Sequence, residues 1–184
     1  MHRQPLLRLL ADYRATCPEQ AEVVAQIVDL VESHADCLLR TCRPGHITGA
    51  AWVVSSDRQR CLLVHHRKLG KWIQPGGHAD GDPDVAAVAL REAQEETGLQ
   101  SLRLAARIPL DVDVHDIPER RDAGGRLLED AHQHHDIRFL LVADSEETPT
   151  VSHESHDVRW FTRSELEQWV DEVSVLLMAR KAGP

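Results

Sequence analysis

Three features that would place a chain in a membrane, a secretory route or a disulfide-bonded scaffold are missing from this sequence. No run approaches the roughly 20 consecutive apolar residues that a transmembrane helix needs. The N-terminal leucines are interrupted by Arg8 and followed by charged residues, so we expect no signal peptide. The cysteines show neither Cys-x-x-Cys spacing nor a disulfide-rich pattern; they are Cys17, Cys37, Cys42 and Cys61. Unpaired thiols fit a reducing compartment, and we therefore predict a cytoplasmic protein.

Positive charge is also scarce. The 184-residue chain has 21 Lys and Arg against 30 Asp and Glu, which gives a formal net charge of −9. Non-specific binding to nucleic acid or to an anionic membrane depends on clustered basic residues, so we expect neither as a partner. An anionic substrate must then be bound locally, by a metal ion and a few basic side chains. The length predicts one domain, and a homodimer is compatible with the sequence.

A cluster of carboxylates is the most informative feature that is present. Glu92, Glu95 and Glu96 are spaced i, i+3 and i+4, so on a helix they share one face and repel one another unless a cation lies between them. Mg²⁺ prefers oxygen ligands and is commonly bridged to substrate phosphates. The cluster therefore predicts a Mg²⁺ site, which Mn²⁺ could also occupy, and a substrate that contains a phosphate ester or pyrophosphate.

The signals around this cluster predict a helix over about residues 83–97. Asp82 is suited to be the N-cap, Pro83 to the first helical position, and Gly98 to a left-handed residue at the C-terminal end. Arg91 can lie along the carboxylates and orient them. Apolar residues recur at helical spacing and are expected to dock the helix on a sheet, namely Val85, Val88 and Ala89.

These residues resemble the signature of the Nudix hydrolases. That signature reads Gly, five residues, Glu, seven residues, Arg-Glu, an aliphatic residue, any residue, Glu-Glu, any residue, Gly and an aliphatic residue. Eight anchor positions match it in register: Gly77, Arg91, Glu92, Ala93, Glu95, Glu96, Gly98 and Leu99. Pro83 departs from it, because it stands where the pattern has its first glutamate.

The resemblance implies a metal site and a fold. In this family the first glutamate mainly supports the loop, and Asp80, Asp82 or Asp84 could replace it here. The carbonyl of Gly77 is expected to join Glu92, Glu95 and Glu96 as a metal ligand. Strand-like and helical segments alternate as in an α/β/α sandwich with a mixed sheet. We predict an added N-terminal helical extension over residues 1–45, packed on the same domain, and a Nudix-like catalytic domain over residues 46–184.

The predicted activity is hydrolysis of a phosphoanhydride bond in a nucleoside diphosphate linked to another group, or in a similar small diphosphate. Water is the nucleophile, and the bound metal lowers the pKa of that water. The catalytic residues are predicted to be Glu95, Glu96 and Arg91. Glu95 or Glu96 could take the proton, and so could a carboxylate on a loop, for which Glu129 and Glu154 are the candidates.

Two further groups are candidates for substrate contacts. Basic residues cluster over residues 60–71, and either Arg67 or Lys68 could contact a phosphate; a solvated turn is the alternative. Histidines cluster beside Asp136, at His115, His132, His134 and His135. On a strand, His132 and His134 would point to one face and could bind Zn²⁺, or this segment could be a solvated loop. We expect substrate or supporting contacts instead, with activity changing near pH 6–7.

Two other functions remain open at this stage. An isopentenyl-diphosphate-isomerase-like enzyme would share the fold and the Mg²⁺, but it needs a protonating cysteine, for which Cys61 has no matching local motif. A non-catalytic nucleotide-binding module would share the fold alone. The intact set of Arg91 and three glutamates argues against that second possibility.

Overall fold

The computed structural model describes residues 2–144 and 147–183. The α helices are α1 (Gln4–Thr16), α2 (Ala21–Ser33), α3 (Val85–Thr97), α4 (Arg163–Trp169) and α5 (Val173–Lys181), with a 3₁₀ helix at Pro18–Gln20. The strands are β1 (Gly45–Val54), β2 (Arg60–His66), β3 (Lys71–Ile73), β4 (Gly76–His78), β5 (Leu102–Leu104), β6 (Asp111–Ile117), β7 (Arg120–Arg121), β8 (Leu127–Glu129), β9 (His132–Ala143) and β10 (Ser155–Thr162). No helix in the described ranges is long and apolar enough to cross a membrane.

Eight of the strands form one sheet, which confirms the predicted α/β class. Its central order is β10-β2-β1-β9-β5, and β3, β4 and β6 pair with β2, β1 and β9 respectively. Strands β2 and β10 are antiparallel, with Val64 opposite Val158 and Leu62 opposite Trp160. Strands β7 and β8 form a separate two-stranded hairpin.

The chain divides into two compact units. The first contains the described residues up to Thr48, together with His78–Val85 and Val112–Ile137. Helices α1 and α2 pack on each other there, and the Arg3 guanidinium at the start of α1 donates hydrogen bonds to the carbonyls of Val31 and His34 at the end of α2. Carbonyls at the end of a helix have no partner within it, so this contact stabilises the helix pair. The predicted boundary near residue 45 is not tested by this division and stays a prediction.

The second unit contains Gly49–Gly77, Ala86–Asp111 and the described residues from Arg138 onward. Its apolar core includes Trp52, Leu63, Phe161, Leu166 and Met178, all at most 2% exposed. A buried charge group lies in the same unit: the Asp111 carboxylate accepts hydrogen bonds from Arg138 Nη1 at 2.9 Å and from Lys181 Nζ at 2.6 Å. Two cationic partners compensate the cost of burying this carboxylate.

Helix α3 begins later than predicted. It starts at Val85 rather than at Pro83, because the Asp82 carboxylate accepts a hydrogen bond from the backbone N–H of Asp84 at 2.9 Å and holds a turn there. The predicted C-terminal end is confirmed, since Gly98 has a φ of 73°. The predicted apolar face is also confirmed, as Val85, Val88 and Ala89 are buried.

Candidate active site

Two consecutive glycines bring the backbone of β4 against the carboxylates of α3. A Cβ atom at Gly76 would lie 2.8 Å from the backbone Cα of Ala50, which leaves no room for a side chain, and a Cβ atom at Gly77 would lie 2.5 Å from Cδ of Glu92 and displace that carboxylate. The backbone N–H of Gly76 donates a hydrogen bond to the Glu96 carboxylate. The absence of side chains at Gly76 and Gly77 therefore lets β4 lie close to its neighbours. The backbone polar atoms of β4 then lie beside Glu92 and Glu96, two of the predicted metal ligands.

The three glutamates differ in burial. Glu96 is 9% exposed and the Glu92 side chain is 17% exposed, whereas the Glu95 side chain is 64% exposed. Burial, together with repulsion from Glu92, raises the pKa of the Glu96 carboxyl to about 8. A buried carboxylate that repels its neighbour favours a bound cation, and oxygen donors suit a hard divalent ion. The donor set therefore fits Mg²⁺ or Mn²⁺, with Glu95 at its solvent edge.

Arg91 contacts the same cluster. Its Nη2 donates a hydrogen bond to Glu92 Oε1 at 2.8 Å, and its Nε lies 3.8 Å from Glu95 Oε1. The guanidinium thus holds Glu92 in one orientation and offsets part of the negative charge. This contact supports the orienting role predicted for Arg91.

We expect Arg91→Ala to weaken Mg²⁺ binding and to lower the melting temperature. The variant leaves Glu92 without its guanidinium partner, and because Arg91 is partly exposed the loss of stability should be about 1 kcal/mol. Metal titration by calorimetry and thermal unfolding would measure both effects. Arg163→Ala is the matched control, because Arg163 also faces a glutamate four residues on, Glu167, at 3.9 Å. Equal Mg²⁺ affinities for Arg91→Ala and the wild type would contradict the orienting role.

The loop around Pro83 is braced by aspartates. Asp80 accepts two hydrogen bonds from the Arg40 guanidinium, at 2.9 and 2.6 Å, and Asp82 holds the turn described above. The backbone N–H of Gly81 also donates to the Leu38 carbonyl at 2.9 Å. Asp80 and Asp82 thus do the bracing expected of the missing glutamate, and the segment after α2 takes part in it.

Glu154 lies close enough to Glu96 for its charge to raise the Glu96 pKa. The backbone carbonyl of Glu154 accepts a hydrogen bond from the backbone N–H of Arg67 at 2.9 Å. The exposed turn that carries Arg67 and Lys68 is therefore anchored beside Glu154. The Arg67 guanidinium donates a hydrogen bond to the Ser155 carbonyl at 2.8 Å, whereas Lys68 is exposed to solvent.

The predicted alignment of His132 and His134 is confirmed, because their ring centroids lie 5.2 Å apart on β9. The sequence did not indicate that His46 and His78 join them. His46 lies 4.9 Å from His78 and 4.9 Å from His134, measured between ring centroids. Glu129 is also found here, with Oε1 4.0 Å from His132 Nε2. His135 points to the other face of the strand, as alternation requires.

The expected titration near pH 6–7 is wrong for His134, and also for His135, whose pKa burial lowers to about 4. Burial lowers the pKa of His134 to about 2 and that of His46 to about 4, with repulsion from neighbouring histidines acting in the same direction. Both rings are neutral at physiological pH. A neutral imidazole is a metal ligand as well as a hydrogen-bonding group.

Cys61, the residue relevant to an isomerase, does not offer the required chemistry. It is buried, and burial raises the pKa of its thiol to about 12. The adjoining cavity of about 110 Å³ is lined by aromatic, aliphatic and basic side chains, with no carboxylate among the described residues that line it. A protonating cysteine paired with a glutamate is not formed there.

Comparison with known proteins identifies relatives of this chain. A family model described as NUDIX domain matches residues 45–179. A probable DHNTP pyrophosphohydrolase of Lactococcus lactis subsp. cremoris is 28% identical over 130 residues, which cover 70% of this chain and 74% of that protein. An RNA pyrophosphohydrolase of Bradyrhizobium diazoefficiens is 28% identical over 134 residues, which cover 69% of this chain and 78% of that protein.

A solved structure shares the fold. The crystal structure of a hydrolase of the NUDIX family from Clostridium perfringens aligns with a TM-score of 0.57 and 21% identity. The alignment covers 74% of this chain and 95% of that chain. At this identity the likeness establishes the fold alone.

Proposed function

This chain belongs to the Nudix family, and we propose that it is a metal-dependent pyrophosphohydrolase acting on a nucleoside diphosphate linked to another group, or on a similar small diphosphate. One observation carries the proposal: the Gly-Gly pair of β4 lies against Glu92 and Glu96, with Arg91 and Glu154 beside them. The relatives named as pyrophosphohydrolases support the same class of reaction.

The metal in this proposal is Mg²⁺, with Mn²⁺ as a substitute. Glu92 and Glu96 would hold it, with Glu95 at the solvent edge and the Gly77 carbonyl as a further oxygen ligand. When bound, the ion polarises a phosphate oxygen and lowers the pKa of a bound water. Arg91 keeps Glu92 oriented, and the Gly76 N–H keeps Glu96 oriented.

The proposed reaction is hydrolysis of a phosphoanhydride bond by water. The oxygen of water forms a new bond to phosphorus, the bridging P–O bond breaks, and its electron pair leaves with the departing phosphate. The proton of water passes to a carboxylate. Glu95 and Glu154 are the carboxylates of the site that stay about half exposed or more, so we propose them, rather than the buried Glu96, as proton acceptors.

Substrate contacts are proposed for the exposed turn beside Glu154. Lys68 is the better placed of its two basic residues, because the Arg67 guanidinium already donates to the Ser155 carbonyl. A lysine ammonium is a compact charge that suits a phosphate oxygen. The substrate roles predicted for His132, His134 and Glu129 stay predictions, and a different role for the histidines is argued below.

A panel of phosphoanhydrides tests the proposed function. It contains sugar nucleotides, dinucleoside polyphosphates, oxidised nucleotides, DHNTP and a 5′-triphosphorylated RNA oligomer, each with Mg²⁺ and with phosphate products quantified. We expect the highest kcat/KM on a small compound, because a chain of net charge −9 gains little from the many phosphates of RNA. A clear preference for the oligomer would contradict the substrate class, and no hydrolysis of any compound would contradict the reaction.

Location and assembly complete the proposal. We propose that the enzyme acts in the cytoplasm, where thiols stay reduced, and the four free cysteines support this. We propose no nucleic-acid or membrane partner. A homodimer stays a prediction.

A further inference from the structure

Five histidines of the first compact unit form one cluster, which we call the histidine cluster: His46, His78, His115, His132 and His134. They come from four strands, β1, β4, β6 and β9. His46 lies at its centre, with three other rings at a centroid distance of 4.9 Å. His115 joins at the edge, 5.5 Å from His134. The fold therefore gathers imidazoles that are far apart in the sequence.

Two rings of this cluster have buried nitrogens that make no hydrogen bond. His46 is 2% exposed, and neither of its ring nitrogens bonds to any described protein atom. The buried Nε2 of His132 also has no partner. Every neutral imidazole carries one N–H donor and one lone pair, and leaving a buried polar group unpaired destabilises the folded protein. Apolar side chains would fill this space at lower cost, so the cluster indicates a ligand that uses the lone pairs.

The positions of the ring nitrogens suit a metal ion. One nitrogen from each of His46, His78 and His134 lies within 4.8 Å of the other two. With Zn–N bonds of about 2.0–2.1 Å, tetrahedral ligands are about 3.4 Å apart, so each nitrogen needs to move by roughly 1 Å. Rotation of the imidazole rings supplies a movement of that size.

Neighbouring groups orient the outer rings. His132 Nδ1 donates a hydrogen bond to the Asp130 carbonyl at 2.8 Å, which leaves the lone pair on the unpartnered Nε2. His115 Nδ1 lies 3.1 Å from an Asp113 carboxylate oxygen. Metal-binding histidines commonly have such partners, which fix the tautomer and the ring orientation. The charges of Asp80 and Glu129 act on His78 in the direction that favours a cation, opposing Arg40.

We propose that His46, His78 and His134 bind one Zn²⁺ ion, with His132 or a water molecule as the fourth ligand. Nitrogen ligands suit Zn²⁺ and related transition metals, whereas Mg²⁺ prefers the oxygen ligands of α3. The protein then has two metal sites with different donor sets. This inference does not depend on the proposed hydrolase activity.

Zinc binding to purified protein tests the inference directly. After removal of metal, the protein is titrated with Zn²⁺ in competition with a chromophoric chelator. We expect one tightly bound Zn²⁺ per chain, and an affinity at least about 100-fold weaker in His46→Asn and His134→Asn, since even residues that only support a ligand contribute about 10–100-fold.

Three control variants locate the ion. His135→Asn removes a buried histidine of the same strand that faces away, and zinc affinity should not change. Glu92→Gln with Glu96→Gln removes the carboxylate ligands of α3, and the tight zinc site should remain. Cys42→Ser disrupts a second group that could hold a metal, formed by His34, Asp36 and Cys42. Loss of the tight site in any of these three controls, with retention in His134→Asn, would overturn the proposal.

A measurement on the wild-type protein covers the case in which the histidine variants fail to fold. Co²⁺ bound by three or four imidazoles gives visible absorption bands of tetrahedral coordination, and Zn²⁺ should displace them. Histidine side-chain NMR signals should shift on the same titration. The absence of both signals would overturn the proposal whatever the variants show.

Discussion

Glu96→Gln is expected to lower kcat by about 10²- to 10⁴-fold while the fold is kept. The substitution preserves side-chain size and removes one charge from the predicted metal site, an electrostatic contribution that is often worth several kcal/mol in the transition state. Steady-state kinetics at saturating Mg²⁺ would measure the loss. Glu167→Gln is the matched control, because Glu167 lies on α4 and pairs only peripherally with Arg163.

Glu96→Gln should differ from Glu95→Gln in its effect on stability. Because the folded-state pKa of Glu96 is raised to about 8, the contribution of Glu96 to the stability of the metal-free protein falls as pH rises from about 4.5 to 8. The melting temperature of Glu96→Gln relative to the wild type should therefore rise over that pH range. Glu95→Gln should also lower kcat by orders of magnitude, because it removes a charge from the predicted metal site. Since the Glu95 side chain is largely exposed, the metal-free melting temperature should stay unchanged. Unchanged kcat in both variants at saturating Mg²⁺ would contradict the site.

Removal of divalent metal is expected to abolish hydrolysis, and Mg²⁺ or Mn²⁺ should restore it. The buried carboxylate of Glu96 and the partly buried carboxylate of Glu92 repel each other, so a cation that neutralises them should also raise the melting temperature of the wild type. The rise should be smaller in Glu96→Gln. Activity assays and thermal unfolding across a Mg²⁺ titration, with and without chelator, measure both effects.

The Mg²⁺ titration must also distinguish Mg²⁺ at the carboxylates of α3 from Zn²⁺ at the histidine cluster. His134→Asn should keep the Mg²⁺-dependent rise in melting temperature, because it leaves the carboxylates of α3 unchanged. A chelator selective for zinc over magnesium should leave that rise intact in the wild type as well. Hydrolysis that survives complete removal of both metals would show that the proposed metal dependence is wrong.

Some features could be predicted because they depend on neighbours along the chain. Thr162 followed three residues later by Glu165 is the sequence pattern of a capping box, and the structure has it: the Thr162 hydroxyl accepts from the Glu165 N–H, and the Glu165 carboxylate accepts from the Thr162 N–H. The predicted left-handed conformation of Gly98 is also confirmed, and it too depends only on the end of the adjoining helix. The capping box predicts one helix from there to about Arg180, but that helix is interrupted, because α4 ends at Trp169 before α5 begins at Val173.

Other features depended on contacts between distant segments. Glu92, Glu95 and Glu96 have the spacing of one helix face, yet only contacts made in the folded unit bury Glu96, cover most of Glu92 and leave Glu95 exposed. Gly76 had no predicted role, and its N–H is a partner of Glu96 because β4 lies beside α3. Helix periodicity describes one element and contains no information on what packs against it.

The sequence alone placed Glu92, Glu95 and Glu96 on one helix, because they fall within one short stretch whose spacing is set by local helix geometry. Only the tertiary structure decided which carboxylates are buried, which aspartates brace the loop, and which histidines meet. His46 and His78 join His132 and His134 only when strands β1, β4 and β9 enter one sheet. Strand pairing links residues that are distant in the chain, and no local pattern records those partners.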